Sequence, residues 1–148
     1  KKGFVYILRD PTRPRLVKIG ASINTGKRRE QIMRDCNVGL ETVFVSDEVD
    51  NHMRVEQLAQ GDLWHLQRPY TCPKCLTEHR EWHDVGDELA KATVTRWVDF
   101  MKQQPYTSAG TLKPIWQRLV DKRRLSRPPN EEINHESRWQ HWESVLLP

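Results

Sequence analysis

Two short runs near the N-terminus constrain the fold more than anything else in the chain. Gly3-Phe4-Val5-Tyr6-Ile7-Leu8 and Leu16-Val17-Lys18-Ile19-Gly20 are rich in β-branched and aromatic residues, and Asp10-Pro11-Thr12-Arg13-Pro14-Arg15 separates them. Proline has no N–H for a ladder and a fixed φ, so the intervening stretch is a loop. Two strands with a short connection predict an antiparallel hairpin. Side chains alternate across a strand, so Val5, Ile7, Val17 and Ile19 share one face. If that face is the core, Tyr6 and Lys18 emerge together on the opposite surface.

Downstream, the chain alternates between short apolar runs and helical spacing. Asn24 is the expected cap of a helix reaching about Asp35, and Leu40 to Ser46 reads as a third strand. Asp50 or Asn51 then opens a helix to about Leu66, with Val55, Leu58, Ala59, Leu63 and Leu66 on one face. Residues 67–79 form a loop containing Pro and Cys, and Arg80 to Val85 is a candidate short strand. Gly86 to Gln104 is helical by pattern until Pro105 stops it. Leu112 to Lys122 follows, with Ile115, Trp116 and Leu119 as its packing side. Pro128-Pro129 precedes a last helix from about Asn134. The prediction is an α/β fold with a sheet of about three strands flanked by helices. Residues 1–104 form its main domain, and 105–148 a helical extension packed on it.

Charge is unevenly distributed in this 148-residue chain of net charge +4. Residues 1–34 hold ten basic and two acidic side chains, and residues 113–127 hold six and one. Residues 35–66 hold one basic and seven acidic side chains. Two basic blocks around an acidic one fit either solvated faces or a polyanion contact. No apolar run approaches the roughly 20 residues of a membrane span, and no signal-like segment follows Lys1-Lys2. The expected compartment is intracellular, the nucleus included.

Three Cys cannot all pair as disulfides. Cys72-x2-Cys75-x3-His79 has the spacing of structural zinc ligands, with Cys36 or His83 as the fourth. Free thiols or a Cys72–Cys75 redox pair are the competing readings. Tyr6 beside a Lys18 ammonium would have a lowered phenol pKa and could act as a general base. Packing at a sheet surface is the plainer role for the same pair.

Gly-x-x-Tyr on one strand and Lys-Ile-Gly on the next resemble the opening of the GIY-YIG nuclease superfamily, in its phage-type branch also found in fungal proteins. Arg28, eight residues after Gly20, matches the family's helical Arg, and Glu56 matches its metal-binding Glu. Arg68, the Cys72/Cys75 loop, His79-Arg80-Glu81-Trp82-His83, Trp97-Val98, Pro105-Tyr106, Gly110, Leu112 and Trp116 extend the likeness. Lys18 replaces the second Tyr of the eponymous motif, as the branch tolerates. Gln60 stands where the branch often has a His, and the family's Asn after the Glu helix has no counterpart.

The resemblance implies a Mg²⁺- or Mn²⁺-dependent nuclease acting on nucleic acid, DNA before RNA. Tyr6 with Lys18 would deprotonate water, Arg28 would hold the scissile phosphate and Glu56 the metal ion. Gln60 would contact phosphate or water. The branch carries a Cys after its first helix, which favours Cys36 as the fourth zinc ligand. Lys27, Arg29, Lys113, Arg118, Lys122, Arg123 and Arg124 are candidate phosphate contacts. The alternatives are a nucleic-acid-binding module without turnover, or a zinc-stabilised interaction domain that docks a partner or a second copy through Trp139 and Trp142.

Overall fold

The computed structural model describes residues 2–125, with side chains to Lys122, and residues 137, 139, 140 and 143. The chain divides into two compact units, Lys1–Lys102 and Gln103–Pro148.

In the first unit, the hairpin is the centre of a mixed α/β fold. β1 (Lys2–Arg9) pairs antiparallel with β2 (Leu16–Ser22), placing Tyr6 opposite Gly20 and Leu8 opposite Lys18. Asp10 closes the connecting loop by accepting from the Thr12 N–H and hydroxyl at 2.9 and 2.7 Å, a local turn of the kind Asp favours. Helix α1 (Thr25–Cys36) begins at Asn24, whose side chain accepts from the Lys27 N–H at 3.1 Å. It ends where Asn37 turns left-handed, at φ 51°. β3 (Glu41–Val45) pairs with the outer side of β1, and β4 (Val49–Asp50) pairs with the start of β1.

Helix α2 (His52–Asp62) follows Asn51, which caps by backbone conformation (φ 55°) without a side-chain bond. A ribbon of β5 (Tyr70–Thr71) and β6 (Glu78–His79) carries the Cys loop. β7 (Trp82–Asp84) then joins β2, opposite Leu16 to Lys18. The sheet order is β3-β1-β2-β7, and β4 makes it five-stranded, more than the three strands expected. β7 lies within the candidate strand Arg80 to Val85, whereas the two-residue β4 is too short to carry a periodicity signal of its own. Helix α3 (Asp87–Lys102) completes the unit and is tied to α2 by a Trp97 indole N–H bond to Asp62 at 3.1 Å.

Both sheet faces are covered. Val5, Ile7, Val17 and Ile19 are fully buried on the side of α2 and α3, where Val55, Ala59, Leu63, Ala90, Val94 and Val98 are buried. On the other side Tyr6 and Leu8 pack with Ile32, Leu40 and Trp82. The alternation along the strands is therefore as expected, but the exposure is not. Tyr6 and Lys18 retain only 2% of their surface, because α1, Leu40 and the Trp82 segment roof the face that sequence alone left open.

In the second unit, Tyr106 bridges to Leu112 around a turn at Gly110, and helix α4 (Pro114–Leu125) follows. Pro114 occupies the first helical position, where its missing N–H is not needed. Ile115 is 54% exposed, so it is not part of a packing side as the pattern predicted. Trp116 and Leu119 are half-buried. Trp139 is buried rather than presented to a partner. Trp142, Pro128-Pro129 and most of the expected last helix lie outside the described residues.

Candidate active site and metal centre

β2 extends beyond the short β7, and the edge left by that difference is what gathers the polar groups. Past Lys18, the outward-pointing backbone groups of β2 have no strand partner and need other partners. The Ile19 N–H donates to the Glu81 carbonyl at 3.1 Å, and the Ile19 carbonyl accepts from the Gln60 side-chain amide at 2.9 Å. The Ala21 N–H donates to the Glu56 carboxylate. One turn apart on α2, Glu56 and Gln60 thus clamp that helix to the strand edge. Gln60 uses its side-chain N–H on a backbone carbonyl, a scaffold role that leaves its Oε1 outside that bond.

The Tyr6 phenol lies on the other side of β2, against Gly20. A Cβ at position 20 would overlap the Tyr6 hydroxyl and ring, so the glycine is required by this close approach. The Arg28 guanidinium, from the first turns of α1, favours the ionised phenol electrostatically and donates to Gln31 at 2.9 Å. Lys18 donates to Glu81 at 2.7 Å, and its ammonium lies 5.9 Å from the Trp82 ring centre. Glu81 and Glu56 both act electrostatically on Tyr6, and Lys18 acts on Glu56. Tyr6, Lys18, Arg28 and Glu56, spread over 51 residues of sequence, therefore converge on one locality.

The electrostatics correct the expectation for Tyr6. Burial, reinforced by the Glu81 carboxylate, pushes its phenol up to about 12, and the opposing effect of Arg28 does not offset this. Burial and Glu81 likewise push the Glu56 carboxyl up to about 7, against the pull of Lys18. Sequence reading quoted Glu81 within His79-Arg80-Glu81-Trp82 but gave it no role. Its relation to Lys18 exists only because Trp82 pairs with Lys18 across the β2–β7 ladder.

A second cluster lies at the end of α1. The ligand atoms of Cys36, Cys72, Cys75 and His79 all fall within 4.8 Å of one another. Cys36 Sγ is 3.9 Å from Cys75 Sγ and 3.6 Å from His79 Nε2, and Cys75 Sγ is 3.3 Å from the same nitrogen. Tetrahedral zinc with Zn–S near 2.3 Å needs sulfur separations of about 3.8 Å, so the donor set fits a metal ion such as zinc. The Cys75 and Lys74 N–H groups hold Cys72 down to about 6, while burial and the neighbouring thiols push Cys36 up to about 12. A thiolate at Cys72 is the metal-binding form. His83 is not in the cluster: it is buried in β7 with its Nδ1 at the Glu81 carbonyl, 3.2 Å away. Beside the cluster, Arg13 stacks on Tyr70 and Trp82, 4.1 and 4.6 Å from their ring centres.

Of the expected phosphate contacts, Lys27 is exposed, whereas Arg29 turns to β3 and donates to Thr42 at 3.3 Å. Arg118 and Lys122 are exposed on α4, and Lys113 is half-buried just before it. Arg123 and Arg124 lie on α4, but their side chains are outside the described set.

Residues 3–101 match the profile of the T5orf172 domain. The chain belongs to the T5orf172 domain family. This domain is found in phage and fungal proteins and is related to GIY-YIG-type nuclease-like folds, which links the chain to nucleic-acid-related function. No curated protein and no solved structure matches. The T5orf172 match contains every residue of both clusters and excludes α4. Among the described residues, no helix is long and apolar enough to cross a membrane.

Proposed function

We propose that this T5orf172 domain is a metal-dependent endonuclease of GIY-YIG type, acting on DNA in preference to RNA, with a structural zinc at Cys36, Cys72, Cys75 and His79. The observation that carries the reading is the convergence of Tyr6, Lys18, Arg28 and Glu56, with Arg28 acting on both the phenol and the carboxylate.

Glu56 suits a Mg²⁺ or Mn²⁺ ion. It is a partly buried carboxylate, raised toward 7 by burial and by the Glu81 carboxylate, and a hard cation would offset both. When bound, the ion contributes positive charge to the pentavalent phosphate and the leaving oxygen. Arg28 binds the scissile phosphate through its planar fork. The guanidinium that acts on the Tyr6 phenol is thereby brought to the same phosphate. Tyr6, in its phenolate form, orients the attacking water and takes its proton. Lys18, held by Glu81 at 2.7 Å, stands beside the reacting centre. Lys27, exposed near Arg28 on α1, contacts the neighbouring backbone phosphate.

Incubation with plasmid and branched DNA, with Mg²⁺ or Mn²⁺ and then with EDTA, tests the proposal. Cleavage that EDTA and Glu56→Ala both abolish is expected. Absence of cleavage on any DNA or RNA, or undiminished cleavage by Glu56→Ala, overturns it. The 2% exposure and high pKa of Tyr6 favour a second reading, a nucleic-acid-binding module without turnover. Salt-dependent binding without cleavage selects that reading.

A further inference from the structure

The Lys18 side chain is 3% exposed, yet its partner Glu81 retains 32%. The pair therefore has a buried cationic end and an open anionic end. The backbone on the anionic side is firmly held. The Glu81 carbonyl accepts from Ile19, the Trp82 carbonyl accepts from the Arg68 N–H at 2.9 Å, and the Arg80 carbonyl accepts from the Gln67 amide at 2.6 Å. A lysine has a long flexible stem, so a fixed acceptor is needed to give its ammonium one position. A buried ion pair adds little stability over an apolar pair of the same volume. Core packing alone therefore does not call for Lys18 and Glu81 here, beside Tyr6 and Glu56.

We propose that Glu81 is a positioning residue. It holds the Lys18 ammonium at the Tyr6–Glu56 centre and supports cleavage through Lys18, without itself touching metal ion or substrate. The inference rests on the nuclease reading. It also gives a role to a residue that the Cys/His clip anchors from two positions away, since His79 belongs to that cluster.

A double-mutant cycle on the full chain tests it, using Glu81→Gln, Lys18→Met and the combination, with kcat and KM measured on one DNA substrate in Mg²⁺. Zinc content and melting temperature are measured in parallel, and Mg²⁺ affinity by calorimetry. If Glu81 acts through Lys18, Glu81→Gln lowers kcat by roughly ten- to a hundredfold with KM within about twofold, and adds nothing in the Lys18→Met background. Multiplicative losses overturn the inference, because they mean independent action. A tenfold loss of Mg²⁺ affinity in Glu81→Gln overturns it in favour of direct metal ligation. An unchanged kcat reduces the pair to structure. Should Glu81→Gln lose zinc or melt, Glu81→Asp keeps the charge while retracting the carboxylate by one methylene. The same fall in kcat is then expected, and an intact kcat overturns the proposal. An inactive wild type overturns the nuclease reading and this inference together, whereas an active wild type with multiplicative losses overturns this inference alone.

Discussion

Glu56→Gln separates the stability of this site from its function. Gln keeps an acceptor for the Ala21 N–H but carries no charge. In the wild type the Glu56 carboxyl is moved from its ordinary 4.5 to about 7 by burial and by Glu81. The folded state therefore holds the Glu56 proton more tightly than the unfolded chain does. That contribution to stability is complete below about 4.5 and is lost as pH rises through about 7. Each decade in an equilibrium constant is about 1.4 kcal/mol, so the ionised carboxylate above pH 8 destabilises the fold by roughly 3 kcal/mol. Without divalent cation, Glu56→Gln should match the wild type within about 1 kcal/mol at pH 5 and exceed it by about 3 kcal/mol at pH 8.5. At 2–4 °C per kcal/mol, that is roughly 6–12 °C in melting temperature. Urea titrations and melts at half-unit pH steps, with zinc content matched, measure the difference. Added Mg²⁺ should then raise the wild-type transition and leave that of Glu56→Gln in place. Parallel pH curves for the two proteins, or a variant less stable at every pH, would refute the argument that this carboxylate is under-compensated.

Other outcomes follow from the same geometry. Gly20→Ala forces the Tyr6 ring aside, so it should destabilise by about 1–3 kcal/mol and abolish cleavage while zinc content is unchanged. Full cleavage by Gly20→Ala would show that the Tyr6 position is immaterial. With its phenol near 12, Tyr6 is protonated at neutral pH; the cleavage rate should keep rising between pH 7 and 9 and should be lost in Tyr6→Phe. A plateau reached by pH 7 would assign the proton transfer to another group. Cys36→Ser should reduce bound zinc from about one equivalent to near zero and lower the melting temperature. Retained stoichiometric zinc would place the fourth ligand elsewhere.

What could be read from the sequence was what is local. The hairpin, the Asn24 cap, the faces of the two central strands and the Cys72-x2-Cys75-x3-His79 spacing each depend on neighbours a few residues away, where the backbone's periods of 2 and 3.6 act directly. The resemblance to a nuclease family picked out Tyr6, Lys18, Arg28 and Glu56 from sequence order, and these residues meet in space. Sequence could not show that both sheet faces would be roofed. Tyr6 and Lys18 read as surface residues by alternation alone, and only the packing of α1, Leu40 and Trp82 buried them.

The pairing of Lys18 with Glu81 depends on a strand register set 63 residues apart. Burial and the Glu81 carboxylate raised the phenol where a neighbouring ammonium alone would have lowered it. Gln60 is another such case: its task follows from where β7 stops along β2, a boundary that belongs to the sheet and not to the residue. Local covalent geometry therefore determined the elements and the cast of side chains. Their burial, their partners and hence their charge states were decided by tertiary structure, because desolvation and Coulomb interactions depend on distance through space and not along the chain.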